Sequence, residues 1–171
     1  MRQGLTYDDV LLEPQYSDIQ SRKEVSLETD LGKKVRLRIP IIASPMDTVS
    51  EGSMAWGMGM AGGAAIVHRY NSIIEQASMF DTLPCNLISG GAVGVGDDML
   101  NRTAALVLHG AKIICIDVAH GHHILVKNAL TKLRKRFGDD IHIMAGNVAT
   151  LEGFNDLADW GADSIRCNIG G

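Results

Sequence analysis

Short apolar runs recur along this chain at near-regular intervals. They cover 39–46, 63–69, 88–95, 112–118, 141–148 and 164–170. Their starts lie roughly 23 to 29 residues apart, the length of one strand, one helix and two loops. The runs are nearly continuous in apolar or small residues rather than alternating, as expected of strands covered on both faces. Helical spacing fills the stretches between them. Ser72 with Glu75 reads as a capping box ahead of Ile73, Ile74 and Ala77. Asp97 is expected to cap a helix carrying Leu100, Ala104, Val107 and Leu108, stopped by Gly110. Leu125, Val126, Ala129, Leu130, Leu133 and Phe137 predict a third helix, ended by Gly138. Thr150 is expected to cap a fourth, with Leu151, Phe154, Leu157 and Ala158 turned inward and Gly161 as its stop. The segment 50–60 holds Gly52, Gly57 and Gly59, which weaken a helix but permit close packing on a sheet.

Alternating strands and helices define an α/β architecture with right-handed crossovers. A doubly wound sheet and a closed (β/α)8 TIM barrel both fit that alternation. The dinucleotide fingerprint of the former is absent: the nearest stretch, Gly94-Val95-Gly96-Asp97-Asp98-Met99, lacks its third glycine and follows the third run. Ser44, Asp47, His68, Arg69, Asp117, His120 and Asn147 stand at or just after the ends of different runs. Strand ends meet at a single mouth in a barrel, where active sites are built. The expectation is therefore an incomplete barrel, about six of eight βα units, with residues 1–171 the N-terminal portion of one catalytic domain. The chain stops on a strand end, which would leave a bare edge.

Composition narrows the partners. A net charge of −4 and a single basic run, 132–136, argue against nucleic acid, and that run reads as the solvated end of a helix. No apolar run is long enough for a membrane span, and the first ten residues carry no secretory core. Three cysteines without a CxxC pair exclude a disulfide framework, so the cytoplasm is the expected compartment.

Several strand-end residues bear on chemistry. Asp117 closes an apolar run and needs a partner if buried, either a ligand hydroxyl or a cation such as Arg166. Arg166, inside the last run, must in turn meet an anion or a hydrogen-bonding ligand. His120, His122 and His123 resemble a metal cluster but begin a helix and cannot all point one way; His120 remains a candidate ligand contact. Asn147 offers a donor and an acceptor beside Gly146, where backbone can approach closely. Cys85, Cys115 and Cys167 have no base beside them in sequence and read as packing residues rather than nucleophiles.

Gly4-Leu5-Thr6-Tyr7-Asp8-Asp9-Val10-Leu11-Leu12 and Ile42-Ala43-Ser44-Pro45-Met46-Asp47-Thr48-Val49 resemble motifs of the IMP dehydrogenase and GMP reductase family. So do 63–68, 117–122, 146–150, and Gly161-Ala162-Asp163 followed by Arg166 and Ile169-Gly170. The matches run in family order over nearly the whole chain. The resemblance implies a barrel binding a purine nucleotide and a nicotinamide dinucleotide at its mouth. Ser44, Met46, Asn147 and Arg166 would face the purine nucleotide. Asp117 would hold the nicotinamide ribose, with His120 and Gly94 completing the expected cofactor contacts, and Gly170 would offer a carbonyl to a monovalent cation such as K⁺. In that family a cysteine just beyond this point attacks purine C2, hydride passes to NAD, and the covalent thioimidate is hydrolysed.

That cysteine is absent here, so no catalytic nucleophile is expected in this chain. Asn168 stands in place of the usual glycine, and the stretch from His68 to Ile88 has room for a single helix, not a regulatory insert. Ser44-Pro45-Met46 and Ala119-His120-Gly121-His122 resemble dehydrogenases, whereas 21–25 and the missing insert resemble reductases, which would use NADP. The expectation is an IMP dehydrogenase-like portion, with a GMP reductase portion or the host segment of a splicing-interrupted gene as alternatives. A complementary C-terminal barrel half and a homotetramer are the expected partners.

Overall fold

The computed structural model describes residues 7–168. A small antiparallel hairpin comes first, β1 (Thr29–Asp30) and β2 (Arg36–Leu37). The alternating part then runs β3 (Ile42–Ala43), α1 (Gly52–Ala61), β4 (Ala64–Val67), α2 (Ile73–Ser78), β5 (Gly90–Val93), α3 (Met99–Leu108), β6 (Ile113–Asp117), α4 (Ile124–Phe137), β7 (His142–Val148), α5 (Leu151–Asp159) and β8 (Ser164–Cys167). Each of the six apolar runs contains one of the strands β3–β8. These six form one parallel sheet in strict chain order, β3-β4-β5-β6-β7-β8. Strand order never reverses, so the sheet has no switch point and winds one way only, as a barrel does.

The sheet also curls. Laid flat, its outer strands would stand about 24 Å apart, five steps of about 4.8 Å. Yet one cleft is lined both by Ile42 and Ala43 of β3 and by Arg166 and Cys167 of β8. The fold is a six-stranded parallel half-barrel, an incomplete TIM barrel. Its inner face packs Ala64, Ile66, Ala92, Ile113, Cys115 and Met144 into one cluster, which Val35 and Leu37 of the hairpin region join. Ala65, Val67, Val93, Ile114, Ile116, Ile143 and Ala145 alternate outward against the helices. The hairpin is tied to the α4–β7 connection by an ion pair between Lys33 and Asp139. No helix among the described residues is long and apolar enough to cross a membrane.

Several local expectations need correction. α1 forms despite its glycines, and Gly59 accommodates Leu87 of the α2–β5 connection, not the sheet. Asp98, not Asp97, occupies the N-cap of α3, and its carboxylate binds Arg102 instead of the helix amides. On α5 only Leu157 of the four expected apolar residues is buried. Leu151, Phe154 and Ala158 face outward, and Gly153 is turned inward, where a Cβ would lie 3.3 Å from His122. Arg134 is not a solvated helix end. It binds the carbonyls of Gly138, Ile141 and Gly161 and the Asp163 carboxylate, closing the α4–β7 turn onto the entry to β8. Cys85 and Cys167 are exposed, so Cys115 alone is a packing cysteine. The Ser72–Glu75 capping box and the Thr150 cap form as the sequence predicts.

His142 closes the floor of the inner face, fully buried, with Nε2 2.6 Å from the Ser164 hydroxyl. Burial lowers its pKa below the ordinary 6.5, against the opposing pull of Asp163. The unfolded chain therefore takes up the proton first as pH falls, and stability is lost downward from about pH 6.5. Denaturant unfolding between about pH 5 and 7 should show this slope, and His142→Gln should flatten it. An unchanged slope in the variant would assign the acid sensitivity elsewhere.

Candidate functional site

A cleft of about 650 Å³ opens at the C-terminal ends of the strands. Ser44, Pro45 and Met46 line it from the turn after β3, Ile66 and Met144 form its apolar floor, and Asn147, Arg166, Cys167 and Asn168 close the far side. The turn bearing Ser44 is fastened to the start of α1. The Ser50 hydroxyl donates to the Ser44 carbonyl, and the Ser50 and Val49 amides donate to the Met46 carbonyl at 2.9 and 3.2 Å. Below them His68 is buried, and its Nδ1 accepts the Tyr70 amide at 3.2 Å, which leaves Nε2–H directed at Glu51, 3.4 Å away.

Asn147 is held by its backbone. Its amide donates to the Val118 carbonyl at 2.9 Å, and its carbonyl accepts from Gly121 at 2.7 Å. Gly121 permits this approach, since a Cβ there would lie 2.9 Å from the Asn147 oxygen. The Asn147 Oδ1 is buried with no partner among the described residues. A buried acceptor without a donor costs about 1–3 kcal/mol, and one lining a cleft is suited to a ligand donor.

Arg166 enters the cleft from β8 and forms an ion pair with Asp117 at the end of β6. Asp117 engages it through Oδ1, while the Asp117 carbonyl accepts from Arg69 Nη2 at 3.4 Å. Arg69 also lies against Gly94, where a Cβ would be 3.4 Å from Nη1. Cys115 lies beneath this pair on the inner face, and burial pushes its thiol up to about 12.

The four residues expected to face a purine nucleotide, Ser44, Met46, Asn147 and Arg166, thus line one cleft. Asp117 adjoins it through Arg166, and Gly94 adjoins Asp117 through Arg69. His120 is exposed on the β6–α4 loop and is not part of the lining. The other two histidines diverge: His122 pairs with Asp156 at 2.8 Å, and His123 caps α4 through Nδ1. Gly170 lies outside the described residues. Ile66, Met144 and Cys167 were not foreseen as lining; the inward phase of their strands could have marked Ile66 and Met144, whereas Cys167 reaches the cleft past the register shift between Gly146 and Val148.

A half-barrel with a polar cleft at its strand mouths, between its first and sixth strands, is the architecture of the barrel enzymes. The chain belongs to the IMP dehydrogenase / GMP reductase domain family, whose model matches residues 4–171. It is 33% identical to an inosine-5'-monophosphate dehydrogenase of Cryptosporidium parvum, over 98% of this chain and 52% of that protein. It is also 33% identical to a GMP reductase of Mycoplasma mycoides, over 96% of this chain and 51% of that protein. A GMP reductase of Trypanosoma brucei, crystallised with guanosine 5'-triphosphate, superposes with a TM-score of 0.90 at 25% identity, over 99% of this chain and 72% of that one. The chain spans about half the length of these two curated relatives. The family is one of oxidoreductases.

Proposed function

We propose that this chain supplies the purine-nucleotide cleft and the dinucleotide-facing carboxylate of an enzyme that oxidises IMP to XMP with NAD in guanine nucleotide synthesis. The observation that carries the reading is the convergence of Ser44, Met46, Asn147 and Arg166 on one cleft, with Asp117 tied to its edge. Ser44 and Met46 bracket a flat heterocycle over the Ile66–Met144 floor. The unpartnered Asn147 amide oxygen accepts a donor from the ligand. Asp117 accepts the hydroxyls of a nicotinamide ribose. NAD, when bound there, is the hydride acceptor. Two further βα units and an accessible cysteine come from a complementary barrel half in this reading, Gly170 of this chain offers a carbonyl to a monovalent cation, and the complete enzyme is a cytoplasmic homotetramer.

The Ser44-Pro45-Met46 and His120-Gly121-His122 signatures support the dehydrogenase direction. The close superposition on a GMP reductase favours the second reading, NADPH-dependent reduction of GMP to IMP. Assay of the chain assembled with the complementary half separates them. IMP oxidation with NAD is the expected faster reaction; faster reduction of GMP with NADPH would reverse the assignment.

A further inference from the structure

Arg166 reaches Asp117 from two strands away, and Gly146 makes that possible. In the register Asp117 of β6 lies beside Gly146 of β7, and Gly146 beside Arg166 of β8, one row at the mouth of the inner face. A Cβ at 146 would fall 2.6 Å from the Arg166 Cβ and 2.8 Å from the Arg166 oxygen. The missing side chain leaves the guanidinium a path over β7. At its end only Oδ1 of Asp117 is used. Among the described residues no hydrogen bond engages Oδ2, although a carboxylate offers roughly four lone-pair sites. With its main-chain carbonyl held by Arg69, the Asp117 carboxylate is fixed in orientation with one oxygen to spare.

We propose that Arg166 is a positioning residue for the dinucleotide. It acts through Asp117, across Gly146, by holding that carboxylate aligned for a ribose diol; its contact with the purine nucleotide is the lesser of its two effects. This rests on the reading of Asp117 given under Proposed function. A partly buried carboxylate without its cation would be left unpaired and free to rotate, and would lose its aim. Any side chain at 146 should then act like loss of the arginine, even though residue 146 offers no side chain to either ligand.

The test is calorimetric titration of this chain with NAD and, separately, with IMP. Arg166→Gln should weaken NAD about tenfold, within the usual range of coupling between sites, and IMP only about threefold. Arg166→Lys should recover part of the NAD affinity, because an ammonium supplies one donor. Gly146→Ala should reproduce the Arg166→Gln pattern. Asp117→Ala should weaken NAD, and adding Arg166→Gln to it should cost nothing further, as expected of residues acting in one chain. Equal losses for both ligands, or additive losses in the double variant, would overturn the positioning role. If Asp117→Ala weakens NAD while Arg166→Gln and Arg166→Lys bind it normally, the positioning role alone fails. If Asp117→Ala leaves NAD affinity unchanged, or the wild-type chain binds no NAD, the assignment of Asp117 to the dinucleotide fails and takes this inference with it.

Discussion

Incubated alone with IMP and NAD, the purified chain is expected to form no measurable NADH. Losing a nucleophile costs an enzyme roughly 10⁶-fold in turnover, because positioning cannot replace a covalent path. None of the three cysteines meets the requirement. Cys115 is buried, and its thiol is raised to about 12, so it stays protonated at neutral pH. Cys85 sits in the connection entering β5, at the opposite end of the sheet from the cleft. Cys167 does line the cleft, but among the described residues its Sγ hydrogen-bonds only the Ile165 carbonyl, at 3.9 Å, and no base adjoins it. Stopped assays following absorbance at the nicotinamide band, with and without a partner carrying the remaining units, check this. Robust turnover by the chain alone would mean that Cys167 or some other group performs the covalent step.

Replacement of Gly90 by Val is expected to abolish stable folding. Gly90 faces the inner cluster, where a Cβ would lie 2.5 Å from the Ile113 carbonyl oxygen, 2.7 Å from the Ile113 Cβ and 2.8 Å from Ile66 Cδ1. Two of these atoms belong to β6, which cannot retreat without breaking the β5–β6 ladder. Overpacking of a core costs about 1–3 kcal/mol even when side chains can adjust, and here backbone must move. Set against a total stability of roughly 5–15 kcal/mol, the loss should appear as a large drop in urea midpoint or as aggregation. Gly57→Ala is the matched control. No atom lies within 4 Å of a Cβ at that position of α1, so helix propensity alone should act, a gain of up to about 1 kcal/mol. A Gly90→Val chain that melts like the wild type would show that the inner face is looser than the contacts imply.

The spacing of apolar runs by itself determined the six strands and their parallel pairing, because a strand covered on both faces must be apolar throughout and a crossover needs a helix's length of chain; their order followed from the polar residues spread over the strand ends, which favour a barrel over a doubly wound sheet. Capping residues determined helix starts where the cap acts locally, as at Ser72 and Thr150. The same reasoning failed at α3, where Asp98 and not Asp97 is the N-cap and Arg102, one turn on in the same helix, takes its carboxylate, and at α5, where the sheet chooses which face is buried. The hairpin at β1–β2 left no trace in the pattern, since two-residue strands have no period to read. Strand-end polarity marked Ser44, Asp117, Asn147 and Arg166 as candidates, because charge and amide at the end of an apolar run must find partners. Only the tertiary structure decided which of them meet. The curl of the sheet brings β3 opposite β8, so residues more than a hundred positions apart share one cleft. The register of β6, β7 and β8 sets Asp117, Gly146 and Arg166 in a row, and no sequence spacing encodes that row, because it depends on how far each strand slides along its neighbour.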